Sequence, residues 1–164
     1  MSYTVPGMVL IPQDKTMACW YAGCQMLIEW KRGRYGQCLP GHPDPSNDTD
    51  LVRKYKANGG IYDSFVLTLA RKLGLWSIPG GATPTVVYLE RMLRMYGPLF
   101  INGNRHHVVF AGIRNTDVLI YDPAPVNKGS IKWRSLSEFF PTTPGRGHDA
   151  AYYNTKTALF LYHP

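Results

Sequence analysis

Four polar positions of this chain carry the groups that a nucleophilic reaction at a carbonyl carbon requires. Cys19 lies one or two residues inside the start of a predicted helix, where unpaired N–H groups and the helix dipole stabilise a thiolate. His106 or His107, at the mouth of the stretch "HVVFAGI", can supply the imidazole that forms the thiolate and later protonates a leaving group. Asp122 ends the next predicted strand, where it can orient an imidazole. Gln13, six residues before Cys19, has an amide that can donate to a developing oxyanion, beside the Cys19 backbone N–H.

The elements that must position these residues are helices first and strands afterwards. Apolar spacing and capping residues predict helices over 17–32, 50–57, 62–73 and from a Thr83 cap, with Pro84 in the first position, to Met95. β-Branched and aromatic runs predict strands over 99–102, 107–113, 117–122 and 130–133 and at the end of the chain, with a short helix after Ser135. This order indicates an α+β fold in one domain, 1–164, with a helical lobe over about 12–97 and a β lobe over about 98–164.

Turn signals separate these elements. Gly33 and Gly36 are expected to end the first helix, residues 36–49 to form a loop and residues 78–84 to form a turn. Residues 1–12 are expected to be extended or irregular. The short turn near 114–116 predicts a hairpin, which would bring positions 106 and 122 close together.

Composition limits the class of protein. An apolar content of 45% against 18% charged residues indicates a globular chain, and neither a membrane-length apolar run nor a signal peptide is visible. Three cysteines, an odd number, predict a reducing, cytoplasmic compartment, and their spacing does not suit zinc. The net charge of +7 is scattered over helix faces and fits an acidic protein partner or substrate, whereas no nucleic-acid-binding motif is present.

Each residue also has a structural explanation when taken alone. A cysteine in a helix is usually a small buried hydrophobe, a histidine at a strand end is often structural, and an aspartate before proline is a common turn former. The order and spacing of Gln13, Cys19, His106 and Asp122 together favour the chemical interpretation.

In that order, the motifs resemble the papain-like cysteine peptidases. In that family a glutamine precedes the nucleophilic cysteine by six residues and an aromatic residue follows it, as Trp20 follows Cys19 here. The family's histidine begins a His-x-Val-x-x-x-Gly strand, matched from His106 to Gly112, and an Asn or Asp lies on the next strand. An Asn-Gly-Gly segment lines the cleft of the plant enzymes, and Asn58-Gly59-Gly60 stands at the corresponding distance from the cysteine.

The resemblance implies a papain-like fold whose central helix opens at Cys19, with the active site between the helical lobe and an antiparallel β-sheet lobe. It implies a cysteine protease without a cofactor, in which His106 rather than His107 serves as the imidazole. Gly59, Gly60 and Trp20 would contact the substrate, although a helix cap explains Gly59 equally well. Cys24 is then a core residue, and Cys38 is not catalytic.

The short length and the missing disulfide cysteines bring the chain closer to compact bacterial branches of the family, namely bacteriocin-leader peptidases and effector-type proteases. One hypothesis is a toxin domain of a larger secreted effector, delivered into a target cell and neutralised at home by an immunity protein. Two alternatives stay open: the same machinery used as an amidase, deamidase or acyltransferase, and a binding module that retains the fold without catalysis.

Overall fold

The computed structural model describes residues 2–35, 45–79, 84–102, 106–139 and 159–164. The helices are α1 (Cys19–Tyr35), α2 (Thr49–Lys56), α3 (Asp63–Leu73), α4 (Val86–Tyr96) and α5 (Leu136–Phe139), with a short 3₁₀ turn over Pro45–Asn47. The strands are β1 (Ser2–Thr4), β2 (Trp76–Pro79), β3 (Leu99–Asn102), β4 (His107–Arg114), β5 (Asp117–Asp122), β6 (Ser130–Ser135) and β7 (Leu159–Tyr162).

The strands form one antiparallel sheet in the order β2-β7-β3-β4-β5-β6, and β1 pairs with β4. The predicted α+β class is confirmed. Two strands, however, were not predicted as strands. β2 overlaps the predicted turn over 78–84 and lies inside the predicted helical lobe, because it pairs with β7 through Ile78 and Phe160, a partner more than 80 residues away. β1 arises in the same way from the N-terminal segment that was expected to be extended or irregular.

Helix α1 runs through the centre of the fold and covers one face of the sheet. Its fully buried side chains include Trp20, Cys24 and Leu27, which share a core with Phe100 of β3 and Val109 of β4. A Cβ added at position 23 would lie 2.8 Å from the Phe100 ring, so Gly23 lets the helix approach the sheet closely. This close packing helps to place the N-terminus of α1 near the start of β4 and the end of β5, where His106 and Asp122 lie.

Three predicted helix boundaries are wrong. Helix α1 begins at Cys19 and not at residue 17, because residues 14–17 form a turn. Helix α1 continues through Gly33 to Tyr35, because a helical glycine costs only about 0.5–1 kcal/mol and the packed preceding turns outweigh that cost. Gly36 and the rest of the predicted loop up to residue 44 lie outside the described residues. Helix α4 begins after Thr85, whose hydroxyl accepts a bond from the Tyr88 N–H, so Pro84 precedes the helix; Thr83 is also outside the described residues.

Side-chain alternation along the strands gives the sheet two apolar faces. One face carries Phe100 and Val109 toward α1 and α3. The other carries Ile101, Val108 and Phe110 toward α4 and α5. In the part of the chain that the structure describes, no helix is both long and apolar enough to cross a membrane.

Candidate active site

Cys19 is the first residue of α1 and follows a turn formed by residues 14–17. Its side chain is largely buried at 7% exposure, at the wall of a cavity. The backbone N–H of Cys19 has no acceptor among the described residues, as expected for the first turn of a helix. A thiol and a free N–H therefore stand together where the helix dipole favours negative charge.

His106 lies between Cys19 and Asp122. Its Nε2 is 2.6 Å from Asp122 Oδ1, and its ring lines the same cavity as Cys19. Burial opposes the charged imidazolium, but the interactions with Asp122 and Cys19 outweigh burial and raise the pKa of His106 to about 9. The same Asp122 oxygen accepts the Ala124 N–H at 2.8 Å, which holds the carboxylate in place. The β4–β5 hairpin thus brings positions 106 and 122 together as predicted.

His107 points into the core instead of toward Asp122. Its ring stacks on Phe100 with centroids 5.2 Å apart, and only 4% of the residue is exposed. Burial, with the neighbouring His106 charge, lowers its pKa to about 3, so the ring is neutral near pH 7. Near pH 7, His106 therefore favours the charged form and His107 the neutral form. The difference arises because successive side chains at the start of a strand point in opposite directions, so the two rings have different surroundings.

Gln13 is buried beside the turn that precedes Cys19. Its amide Nε2 donates to the carbonyls of Lys15 and Thr16 at 2.8 and 3.0 Å. Its Oε1 is buried without a partner among the described residues. The Gln13 backbone is tied to the loop after β5, since its N–H donates to Pro123 and its carbonyl accepts from Asn127. In this arrangement both amide N–H groups are occupied, and Gln13 lines a neighbouring polar cavity of about 300 Å³.

The cavity at Cys19 has a volume of about 430 Å³. It is lined by Thr16, Met17, Cys19, Trp20, Gly60, Ile61, Tyr62, His106 and His107. Of the residues predicted to contact substrate, Trp20 and Gly60 are therefore at its wall and Gly59 is not. The Gly59 N–H donates to Lys54 and its carbonyl accepts from Trp20 Nε1, so both backbone groups are used within the protein.

The other cysteines do not join this site. Cys24 is completely buried in the core, and burial, followed by the nearby Cys19, raises the pKa of its thiol. Cys38 lies outside the described residues. Within those residues no group of three His, Cys, Asp or Glu side chains is placed to hold a metal ion.

Two contributors were missed at the sequence level. The Ala124 N–H supports Asp122, and the side chain of Asn58 reaches the turn before Cys19. The Asp-Pro-Ala-Pro sequence after β5 signals a tight turn, but not which N–H it would direct at the carboxylate. Asn58 begins the Asn-Gly-Gly segment that was compared with the cleft of the plant enzymes. That comparison concerned the glycines and predicted no role for the Asn58 side chain.

The fold and this site together define a cysteine peptidase of papain-like architecture. The family model described as "Papain-like cysteine protease AvrRpt2" matches residues 1–143, and the chain belongs to this family. The prediction of a papain-like cysteine peptidase is therefore confirmed. No curated protein sequence matches the chain significantly.

Solved structures share the fold at low sequence identity. UfSP from C. elegans superposes with a TM-score of 0.63 and 16% identity, covering 100% of this chain and 34% of its own. The peptidase domain of Streptococcus ComA gives 0.51 and 20% identity, covering 94% of this chain and 98% of that one. A double-glycine-motif protease of an AMS/PCAT transporter, solved with its leader peptide, gives 0.50 and 20%, covering 98% and 95%. This chain thus spans about a third of UfSP and nearly the whole of the two peptidase domains.

Proposed function

We propose that this protein hydrolyses peptide bonds of protein or peptide substrates through Cys19, His106 and Asp122, with Gln13 as an oxyanion donor. The observation that carries the proposal is the position of the His106 ring, hydrogen-bonded to Asp122 and placed with Cys19 at the wall of one cavity. Since Nε2 faces Asp122, Nδ1 is the ring nitrogen left for the thiol. Both partners favour the imidazolium, which is the form needed to protonate a leaving amine.

In the proposed reaction the Cys19 sulfur attacks the substrate carbonyl carbon and forms a tetrahedral oxyanion. His106 gives its proton to the leaving nitrogen as the carbon–nitrogen bond breaks, which leaves a thioester on Cys19. Neutral His106 then removes a proton from water, whose oxygen attacks the thioester, and the carbon–sulfur bond breaks to release a thiolate on Cys19 beside the protonated His106. Asp122 keeps the imidazole oriented throughout.

The oxyanion would be bound by the free Cys19 N–H and by the amide of Gln13. Gln13 must first release one N–H from Lys15 or Thr16, since both are occupied in the ligand-free protein. We propose that substrate binding drives this exchange. A donor that turns to the oxyanion only during the reaction stabilises the transition state more than the bound substrate.

Gly60 is the proposed point of contact for the substrate backbone. Among the described residues no hydrogen bond occupies its N–H or carbonyl, whereas both groups of Gly59 are occupied. An extended peptide could pair with Gly60 and place a side chain among Trp20, Ile61 and Tyr62. These apolar neighbours favour an apolar substrate side chain.

The decisive experiment compares cleaved proteins in cells that express the wild type or Cys19→Ala, by mass spectrometry of new N-termini. We expect new N-termini only with the wild type, and loss of them with His106→Ala but retention with a conservative surface change such as Lys132→Arg. Deamidated or acylated proteins without new N-termini would instead assign the site to an amidase or acyltransferase. Purified wild-type protein should react with a peptide-like thiol inhibitor faster at Cys19 than at Cys38; equal rates would contradict the proposal.

We further propose that this peptidase acts as a toxin or effector in a target cell and is held inactive at its source by an immunity protein. The observation behind this proposal is that the Cys19 cavity is open among the described residues, so a partner protein could cover it. The same expressing cells test this role: growth arrest with the wild type but not with Cys19→Ala is expected, and normal growth of both would argue against it.

A further inference from the structure

The position of Cys19 depends on a turn that has no regular secondary structure of its own. Within this turn the Ala18 N–H donates to Lys15 at 3.2 Å, and Gln13 bonds the carbonyls of Lys15 and Thr16. These contacts come from adjacent residues and shape the turn. At its far end from Cys19, the turn is also tied to α2, because the Tyr55 hydroxyl donates to the Asp14 carboxylate.

The side chain of Asn58 makes the long-range connection to residues 16 and 17, the part of the turn nearest to Cys19. Its Oδ1 accepts the Met17 N–H at 3.0 Å, and its Nδ2 donates to Thr16 Oγ1 at 2.9 Å. Asn58 stands at the end of α2 with a φ of 52°, a left-handed conformation that asparagine tolerates better than most residues. Its own N–H donates to Tyr55 at 2.9 Å, so the helix end directs the side chain toward the turn.

The next residue secures the chain on the other side of Cys19. The Gly59 carbonyl accepts Trp20 Nε1 at 3.0 Å, and the Trp20 ring is completely buried. The Asn58-Gly59 segment therefore contacts residues 16 and 17 before the nucleophile and residue 20 after it. Gly60, which follows, is at the cavity wall.

We infer that Asn58 is a positioning residue for the nucleophile: it fixes the turn before Cys19 so that the thiol meets His106. The inference rests on the proposed function of that pair. Asn58 is exposed to solvent, so its two hydrogen bonds compete with water and add little to the stability of the fold. A small displacement of a reacting group, in contrast, can reduce a rate by up to about 100-fold. Loss of the Asn58 side chain should therefore affect reactivity far more than stability.

The test is Asn58→Gly, which keeps the left-handed backbone and removes both hydrogen bonds. Asn115→Gly is the matched control, because Asn115 is also exposed and has a φ of 53° in the β4–β5 turn, away from the cavity. The readout is alkylation of the full chain by iodoacetamide across pH 5–9, with the rate at Cys19 measured by mass spectrometry relative to Cys38. We expect Asn58→Gly to slow Cys19 about tenfold at pH 6 and to move its pH profile toward that of Cys38. Asn115→Gly should match the wild type.

Two further variants separate positioning from helix capping. Asn58→Asp keeps an acceptor for Met17 and should recover part of the rate, whereas Thr16→Val removes the other partner and should slow Cys19 in an otherwise unchanged loop. If Asn58→Gly only lowers the unfolding midpoint and leaves the alkylation profile unchanged, Asn58 merely ends α2 and the inference is wrong. That result differs from failure of the proposed function, in which wild-type Cys19 itself would react no faster than Cys38.

Discussion

At the scale of single residues, the site depends on one carboxylate oxygen with two donors. Asp122 Oδ1 accepts from His106 Nε2 at 2.6 Å and from the Ala124 N–H at 2.8 Å. The Ala124 N–H holds the Asp122 side chain in one orientation. The orientation of the carboxylate and its negative charge can therefore be changed separately by substitution. An asparagine at this position could keep the geometry and remove the charge.

Asp122→Asn should therefore reduce cleavage less than Asp122→Ala. The amide oxygen still accepts from His106, but the loss of charge removes one of the causes that raise the pKa of His106. Because the leaving amine needs the imidazolium, the alkaline limit of kcat/KM should move to lower pH. The measurement is the pH profile on a peptide that spans a mapped cleavage site. An unchanged alkaline limit in Asp122→Asn would contradict the proposed role of the charge.

The sequence predicted which residue types meet at this site, but only part of their geometry. The order and spacing of the four residues singled out Gln13, Cys19 and Asp122 with one of the two histidines, and the resemblance to the papain-like family favoured His106 over His107. The occupied amide of Gln13 could not be predicted, because it depends on where the Lys15 and Thr16 carbonyls turn. Such directions are set by tertiary contacts that a linear pattern does not contain.

At the scale of secondary-structure elements, the close packing of α1 determines which glycines are essential. Gly97, which ends α4, has a φ of 80°, and a Cβ added there would lie 2.0 Å from Trp30 Cη2. Trp30 itself is 4% exposed and donates through Nε1 to the Pro6 carbonyl at 2.9 Å. The indole is thus held from two sides and cannot move away easily.

Gly97→Ala should destabilise the fold much more than Gly7→Ala. Gly7 has a similar φ of 76°, but a Cβ there would meet nothing within 4 Å. A positive φ alone costs an L-residue about 1–2 kcal/mol. Gly97 also has a ψ of −148°, a combination that is essentially restricted to glycine and costs other residues about 1–3 kcal/mol. Overpacking against Trp30 adds about 1–3 kcal/mol at Gly97 only. Urea unfolding of the two variants tests the difference; equal losses would mean that Trp30 can move aside.

Local patterns predicted most helices and strands well, but not β1 and β2. The α3, β3 and β5 ranges follow from apolar spacing within each segment. β1 and β2 have three and four residues and become strands only by pairing with distant partners. The cap of α4 is Thr85 and not Thr83. Either threonine fits the local sequence pattern of a helix start, so the pattern alone does not choose between them.

At the scale of the whole molecule, the two adjacent histidines predict how stability changes with pH. His107 has a pKa of about 3 in the folded protein, against 6.5 for the free side chain. Between these two pH values the unfolded chain is protonated at His107 and the folded chain is not. Stability should fall as the pH drops from 6.5 toward 3. His106 has a folded pKa of about 9, so its contribution is complete below pH 6.5 and is lost as the pH rises through 9.

Urea unfolding from pH 4 to 10 measures both limits. Each unit of pKa shift corresponds to about 1.4 kcal/mol, so the acid limit attributable to His107 should amount to a few kcal/mol. His107→Phe, which can keep the stacking on Phe100, should flatten the acid limit. His106→Gln should flatten the alkaline limit and reduce the acid one only slightly, because burial is the larger cause of the His107 shift. An acid limit that survives in His107→Phe would show that other groups cause it.

The position of β7 bears on how the chain acquires this structure. β7 lies between β2 and β3, so a strand from the far end of the sequence is inserted into the interior of the sheet. Until residues 159–162 arrive, the edges of β2 and β3 are unpaired and open to pairing with other chains. Contacts of such large sequence separation form slowly, so during biosynthesis the growing chain passes through a period in which it is prone to association. Rapid capture of β7, rather than completion of the helices, would then end that period.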